Sequence, residues 1–213
     1  MPLTEHCPPQ HQSLLQQRWD NWCDSVAPEQ VAQVESLLDQ DKEKGTALAR
    51  TFVGSDFFVQ QCCRQPELLA QLLAQDDCGL NAPDLDTFTS EEAMEQALRT
   101  LRNRVNAEAI WRDFSGQWDT PAACGRLTEL AEVTIQAALD WHRAKMVERH
   151  GEPRSREGDI QPMVVLGMGK LGARELNLSS DIDLIFAYPE PGQSDGDASG
   201  ARPLENQAYF QRL

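Results

Sequence analysis

The sequence has no apolar run approaching the roughly 20 residues that a membrane-spanning helix needs. Basic residues are scarce: 19 Lys and Arg stand against 34 Asp and Glu, a net charge of −15. Nucleic acid and anionic membranes both require a basic face, so neither is expected as a partner, and the acidity reads as solubility. The six cysteines, at 7, 23, 62, 63, 78 and 124, include no CxxC pair and have no matching histidine cluster. Metal ligation by the adjacent Cys62 and Cys63 is the weaker reading of that pair, and two small buried thiols the stronger. A disulfide framework belongs to short secreted chains, and no signal peptide opens this one. A reduced, cytoplasmic protein is expected, long enough at 213 residues for one large domain or two small ones.

The first half also lacks strand signals. Thr89 followed by Glu92 forms a capping box, and Met94, Leu98, Leu101, Val105 and Ala109 then recur at helical spacing. Thr120 and Pro121 read as an N-cap with proline at the first helical position. Leu127, Leu130, Ile135, Ala138 and Trp141 carry that helix on, and Gly151 with Pro153 ends it. Val31, Val34 and Leu38 mark another helix, and Leu68, Leu69, Leu72 and Leu73 a fourth. Core packing explains all of these positions without added chemistry.

Composition changes after Gly151. Residues 151–161 read as a polar connector, 162–168 (PMVVLGM) as a buried strand and 181–188 (DIDLIFAY) as a second. Residues 189–203 look like loop, and LENQAYFQRL like the start of a helix. No internal repeat is present.

Between the two strands lies LGMGKLGARELNLSSDIDLIF, which combines glycines, a lysine and two aspartates. A P-loop is excluded, because Val164 stands where its leading glycine belongs and Leu171 where its Ser/Thr belongs. A dinucleotide fold fits Gly167-x-Gly169-x-x-Gly172 after a strand, with Glu190 near the distance of a ribose acid. Against it, the helix available before Asn177, Ser179 and Ser180 is short, and a second strand there would bury an unpartnered Asp181 or Asp183. The nucleotidyltransferase pattern fits better. In an extended strand Asp181 and Asp183 project to one face, where they repel unless a cation lies between them. Mg²⁺ takes such oxygen ligands and keeps water and substrate phosphate in its shell. The turn at Gly167, Gly169 and Gly172 admits a phosphate close to backbone N–H groups, Lys170 adds positive charge and Ser180 a hydroxyl donor. A solvated Asp-x-Asp at a strand end is the plain alternative.

GMGKLGARELNLSSDIDLIF resembles the N-terminal catalytic motif of the bifunctional glutamine synthetase adenylyltransferase/adenylyl-removing enzymes. Glu175-Leu-Asn177 followed by Ser179-Ser-Asp-Ile-Asp183 is similar to the adenylyl-removing copy of that motif. TFVGSDFFVQQCCRQPELL and LRNRVNAEAIWRDF also resemble family segments, so the likeness covers essentially the whole chain. It implies a mostly α region over 1–155, then the start of an α/β (α+β) nucleotidyltransferase domain over 156–213, polymerase-β-like and incomplete. It further implies Mg²⁺, or Mn²⁺ in its place, on Asp181 and Asp183, with Lys170 catalytic. Gly167, Gly169, Lys170, Gly172 and Ser180 would bind the nucleotide and phosphate. AMP would be removed from a tyrosine of glutamine synthetase by phosphate, giving ADP, while a second domain attaches AMP from ATP and a PII signalling protein sets the balance.

Ala173 and Arg174 stand where some relatives have glycine. The family's third carboxylate, in an Asp-x-Arg-Leu-Arg-Pro segment, is absent, and Glu190, Asp195, Asp197 and Glu205 fall in loop or incipient helix. The chain therefore reads as the N-terminal piece of a longer enzyme, inactive alone. A non-catalytic helical module docking a partner through residues 1–150 is the remaining alternative.

Overall fold

The computed structural model describes residues 3–75, 77–84, 87–196 and 202–213. The chain is mostly helical, with a small α+β region after residue 150. It divides into two units, residues 1–81 with 99–130 and residues 82–98 with 131–213.

In the first unit, two short 3-10 turns (Leu3–His6 and Pro9–His11) lead into α1 (Gln12–Ser25), α2 (Pro28–Gln40), α3 (Lys42–Gly54), α4 (Asp56–Arg64) and α5 (Leu68–Leu73). The signals around Val34 and Leu68 correspond to α2 and α5. The other three helices carried no signal that periodicity could detect. In α1 only Leu15 and Trp22 are fully buried in an otherwise polar stretch, too sparse a stripe to stand out. Helices α3 and α4 are defined by their caps. The Asp41 carboxylate accepts the N–H groups of Glu43 and Lys44, and the Ser55 hydroxyl accepts that of Phe58. Their inner faces join Trp22, Phe52, Phe58, Leu69, Leu72 and Trp111 in one core. Cys62 lies in this core with its thiol pushed up by burial, and all six cysteines are free thiols.

Two long helices, α6 (Glu91–Phe114) and α7 (Thr120–His150), follow. Met94, Val105 and Ala109 of the first are buried, as are Leu127, Leu130 and Trp141 of the second, so the helical spacing holds. Both caps sit one residue from where the sequence put them. Ser90, not Thr89, accepts the Ala93 N–H. The residue three beyond the cap is then alanine, and the reciprocal half of a capping box is missing. Asp119, not Thr120, accepts the Ala122 N–H, which places Pro121 second in the helix. Both shifts select the stronger or better-spaced side-chain acceptor. Helix α7 ends before Gly151, as read.

The first unit also holds a buried charge network. The Glu108 carboxylate, 1% exposed, accepts from Arg112 Nε at 3.0 Å and Arg126 Nη2 at 3.2 Å. Arg126 also pairs with Asp77, whose carboxyl is held below its ordinary value chiefly by the Gly79 N–H.

The second unit contains two separate two-stranded antiparallel sheets. Strands β2 (Val164–Gly167) and β3 (Leu184–Ala187) pair in the register Val164–Ala187 through Gly167–Leu184. Strands β1 (Pro153–Ser155) and β4 (Gly192–Ser194) form the other sheet. Residues 153–155 and 192–194 were read as connector and loop, and this is a correction. Gly-Gln-Ser has no apolar alternation, and its pairing depends on distant partners: the Ser194 N–H donates to the Leu204 carbonyl, the Ser194 hydroxyl accepts the Leu204 N–H, and Arg154 clamps Asp195 with bonds of 2.8 and 2.9 Å. Asp197 lies outside the described residues. The final helix, α9 (Asn206–Phe210), is short, as expected of LENQAYFQRL.

Alternation along β2 and β3 gives the second unit an inner and an outer face. Val165, Leu184 and Phe186 line a groove of about 410 Å³ with Ile135, Leu139 and His142 of α7. Val164, Leu166 and Ile185 project from the opposite face and are exposed, as is Phe186 on the groove side. Among the described residues no helix is long and apolar enough to cross a membrane.

Candidate active site around Lys170, Asp181 and Asp183

The connection from β2 to β3 carries every residue singled out in the sequence. It opens with α8 (Gly169–Gly172), a single turn closed by bonds from Gly172 N–H to Met168 and from Ala173 N–H to Gly169. Two glycines make this turn buildable. Gly169 has φ +52°, in the left-handed region. At Gly172 a Cβ would overlap the Gly167 carbonyl oxygen, so only glycine lets α8 lie against the end of β2. The turn closes through Arg174 at φ +59°, whose guanidinium holds Glu132 of α7 at 2.9 and 3.3 Å. Nothing local signalled that pair, since 42 residues separate its members.

After Leu176, which is buried, the chain turns again. Ser179 takes φ +62° and the Ser180 N–H returns to the Asn177 carbonyl at 3.2 Å. This second turn brings three side chains together. Lys170 Nζ lies 3.2 Å from Asn177 Oδ1 and 3.5 Å from Ser180 Oγ, and the Ser180 hydroxyl donates to Asn177 Oδ1. In this arrangement the Ser180 hydrogen is directed to Asn177. Asn177 was quoted in the sequence motif but given no role; its place between a lysine seven residues earlier and a serine three later appears only once both turns are folded.

Asp181 and Asp183 precede β3 instead of lying in it. The expectation that both sit within a strand over 181–188 is corrected: regular pairing begins at Leu184, because the Ser179 turn occupies the residues just before. The ladder extends by one further bond, from Met168 N–H to the Asp183 carbonyl at 2.9 Å, which fixes the backbone of Asp183 across from the entry to α8. Both carboxylates are exposed. Among the described residues neither has an ion-pair or hydrogen-bond partner for its side chain, and no three His, Cys, Asp or Glu side chains form a metal-holding group.

The antiparallel pairing of β2 with β3 decides against the dinucleotide reading. A dinucleotide fold requires the strand before GxGxxG and the strand after its helix to run parallel, joined by a full crossover helix. Here the intervening helix is four residues long and the strands are antiparallel neighbours.

The family model for glutamate-ammonia ligase adenylyltransferase matches residues 45–213. The bifunctional glutamine synthetase adenylyltransferase/adenylyl-removing enzyme of Thioalkalivibrio sulfidiphilus is 43% identical over 177 residues, covering 78% of this chain and 18% of that protein. The protein of the same name from Shewanella loihica is 36% identical over 215 residues, covering 96% of this chain and 20% of its own length. That from Pseudomonas syringae is 38% identical over 208 residues, with 92% and 20% covered. The chain thus spans about a fifth of the length of these relatives. With the family matched from residue 45 to residue 213, the chain belongs to the glutamate-ammonia ligase adenylyltransferase family.

Proposed function

We propose that residues 163–188 form the metal- and phosphate-holding part of a polymerase-β-like nucleotidyltransferase site. It removes AMP from an adenylylated tyrosine of glutamine synthetase. Inorganic phosphate supplies the attacking oxygen, a new bond to the α-phosphorus forms, the bond to the tyrosine oxygen breaks, and the tyrosine takes up a proton. ADP is the product. In the full-length protein a second domain attaches AMP from ATP, under the control of a PII protein.

One observation carries this reading: within the same connection a lysine and two carboxylates all lack a partner of opposite charge among the described residues. Lys170 is held by the neutral Asn177 and Ser180, although Asp181 and Asp183 lie close along the chain. Its charge stays available to an anion and theirs to a cation. Two carboxylate oxygen donors suit Mg²⁺, which commonly takes one or two protein carboxylates and completes its shell with water and phosphate oxygens. Asp181 and Asp183 would hold it. The ion, when bound, would neutralise charge developing on the transferring phosphoryl group. The chain's own residues do the positioning. Lys170 binds phosphate oxygens as a point charge, α8 fixes the lysine's origin, and the Met168–Asp183 bond keeps Asp183 across from it.

The test is Asp181→Asn and Asp183→Asn in the full-length protein, with ADP release from adenylylated glutamine synthetase and thermal melting measured together. An amide keeps the shape of the carboxylate and loses its charge, so release should fall by at least ~100-fold with the melting temperature unchanged. Full activity in either variant refutes the metal assignment and favours a non-catalytic helical module.

A further inference from the structure

We infer that Asn177 is a positioning residue that aims Lys170 at the incoming phosphate without cancelling its charge; this rests on the phosphate role proposed for Lys170. The geometry is a closed triangle. Asn177 Oδ1 receives both the lysine ammonium, at 3.2 Å, and the Ser180 hydroxyl, while the ammonium also reaches Ser180 Oγ at 3.5 Å. An exposed lysine on this single helical turn would otherwise sample many rotamers on its four-carbon stem. Two acceptors confine it and leave the third of its N–H donors free.

The chemical identity of the acceptor matters. An aspartate at 177 would have the same shape and make a stronger bond, but it would turn the tether into an ion pair and remove the positive charge the anion needs. Asparagine confines the ammonium and leaves it cationic. The double acceptance at Oδ1 also fixes which way the amide points. Its Nδ2 therefore carries two donors directed away from Lys170 and Ser180, with no partner among the described residues. The free lysine N–H suits an oxygen of a phosphate. The turn at Ser179, with φ +62°, holds the serine against the amide.

The experiment uses the full-length protein and measures the rate of ADP release against phosphate concentration at saturating Mg²⁺. Asn177→Ala should raise the phosphate KM roughly 5- to 10-fold with kcat changed less than about twofold, as for loss of one charge-assisted hydrogen bond at an exposed site. Asn177→Asp, which preserves shape, should raise it at least as much, by about 10-fold or more, because an ion pair replaces the free charge. In the double variant with Lys170→Ala, removing Asn177 should add nothing, since its effect runs through the lysine. Melting temperatures should not move, as Lys170 and Asn177 are exposed. If Lys170→Ala leaves the phosphate KM unchanged, the phosphate role of the lysine fails and this inference with it. If Lys170→Ala raises KM but Asn177→Ala and Asn177→Asp do not, or if the effects multiply in the double variant, only the role of Asn177 is overturned. Should Asn177→Ala fail to fold, the shape-preserving Asn177→Asp decides alone.

Discussion

Gly169 and Gly172 bound the single turn that carries Lys170, and alanine at each position separates two reasons for a glycine. At Gly169 the demand is conformational: φ is +52°, and a Cβ would meet nothing within 4 Å. Alanine in that region costs about 1–2 kcal/mol. Lower entropy of the unfolded chain returns about 0.4–1 kcal/mol, leaving a net loss of roughly 0.5–1 kcal/mol. At Gly172 the demand is steric. A Cβ would overlap the Gly167 carbonyl oxygen and lie 3.3 Å from its carbon. Gly167 is paired with Leu184 and cannot retreat without disturbing the sheet. Because the obstacle is backbone, the loss belongs near the top of the 1–3 kcal/mol range for overpacking. A gain in helix propensity of about 1 kcal/mol offsets it only in part, for a net loss of roughly 2 kcal/mol. The two substitutions should therefore differ by about 1–1.5 kcal/mol, or roughly 5- to 10-fold in local opening. Hydrogen exchange at the Gly172 amide, bonded to Met168, and at the Met168 amide, bonded to Asp183, reads that opening directly. Gly172→Ala should lose the protection and Gly169→Ala should largely keep it. Equal losses, or a larger loss at Gly169, would refute the claim that close approach to β2 sets the turn.

Two further expectations concern stability. Glu108→Ala leaves two guanidiniums without their buried carboxylate. It should destabilise the first unit by about 3 kcal/mol, the low end for breaking a buried pair because Arg126 keeps Asp77 and Arg112 keeps Gln117. A shift of the urea midpoint worth under about 1 kcal/mol would contradict it. Burial pushes the Tyr209 hydroxyl from 10.0 up to about 12, with Glu152 adding to the rise and Arg143 opposing it. The unfolded chain then loses this proton first, so stability should hold below about pH 10 and fall as pH rises toward 12. Among the described residues the hydroxyl has no hydrogen-bond partner, so Tyr209→Phe should abolish that alkaline fall without weakening the fold at neutral pH; a variant destabilised at pH 7 would contradict this.

The long helices were legible because their stripes are dense. Met94, Leu98, Leu101, Val105 and Ala109 repeat often enough to be read without any structure. Helix α1, with Leu15 and Trp22 seven residues apart, was not, and α3 and α4 depend on the side-chain caps of Asp41 and Ser55 more than on pattern. Strand β2 was found through its valines; β4 was missed because a Gly-Gln-Ser strand has no pattern and exists through Arg154 and Leu204. At the site, the identity of Lys170, Asp181 and Asp183 could be read, while the partner of Lys170 could not, since it depends on two separate left-handed residues, Arg174 and Ser179.

In a buried strand, the desolvation of Asp181 or Asp183 would count against a dinucleotide fold. Both carboxylates are exposed and precede β3, so that penalty never arises, and it is the antiparallel sheet that excludes the fold. The same exposure weakens the aspartate pair as an argument for a metal: two solvated carboxylates cost little, and a strand end tolerates them without function. What a merely solvated loop would not be expected to do is hold its lysine on an amide and a hydroxyl with two carboxylates nearby on the same segment. A loop relaxed by electrostatics alone would pair Lys170 with Asp181 or Asp183. The turn at Ser179 instead presents Asn177 to the lysine, which keeps opposite charges apart on one short connection. Such separation stabilises nothing in the free chain; under the proposed function it becomes favourable when a cation and an anion arrive together, as a divalent metal and a phosphate would.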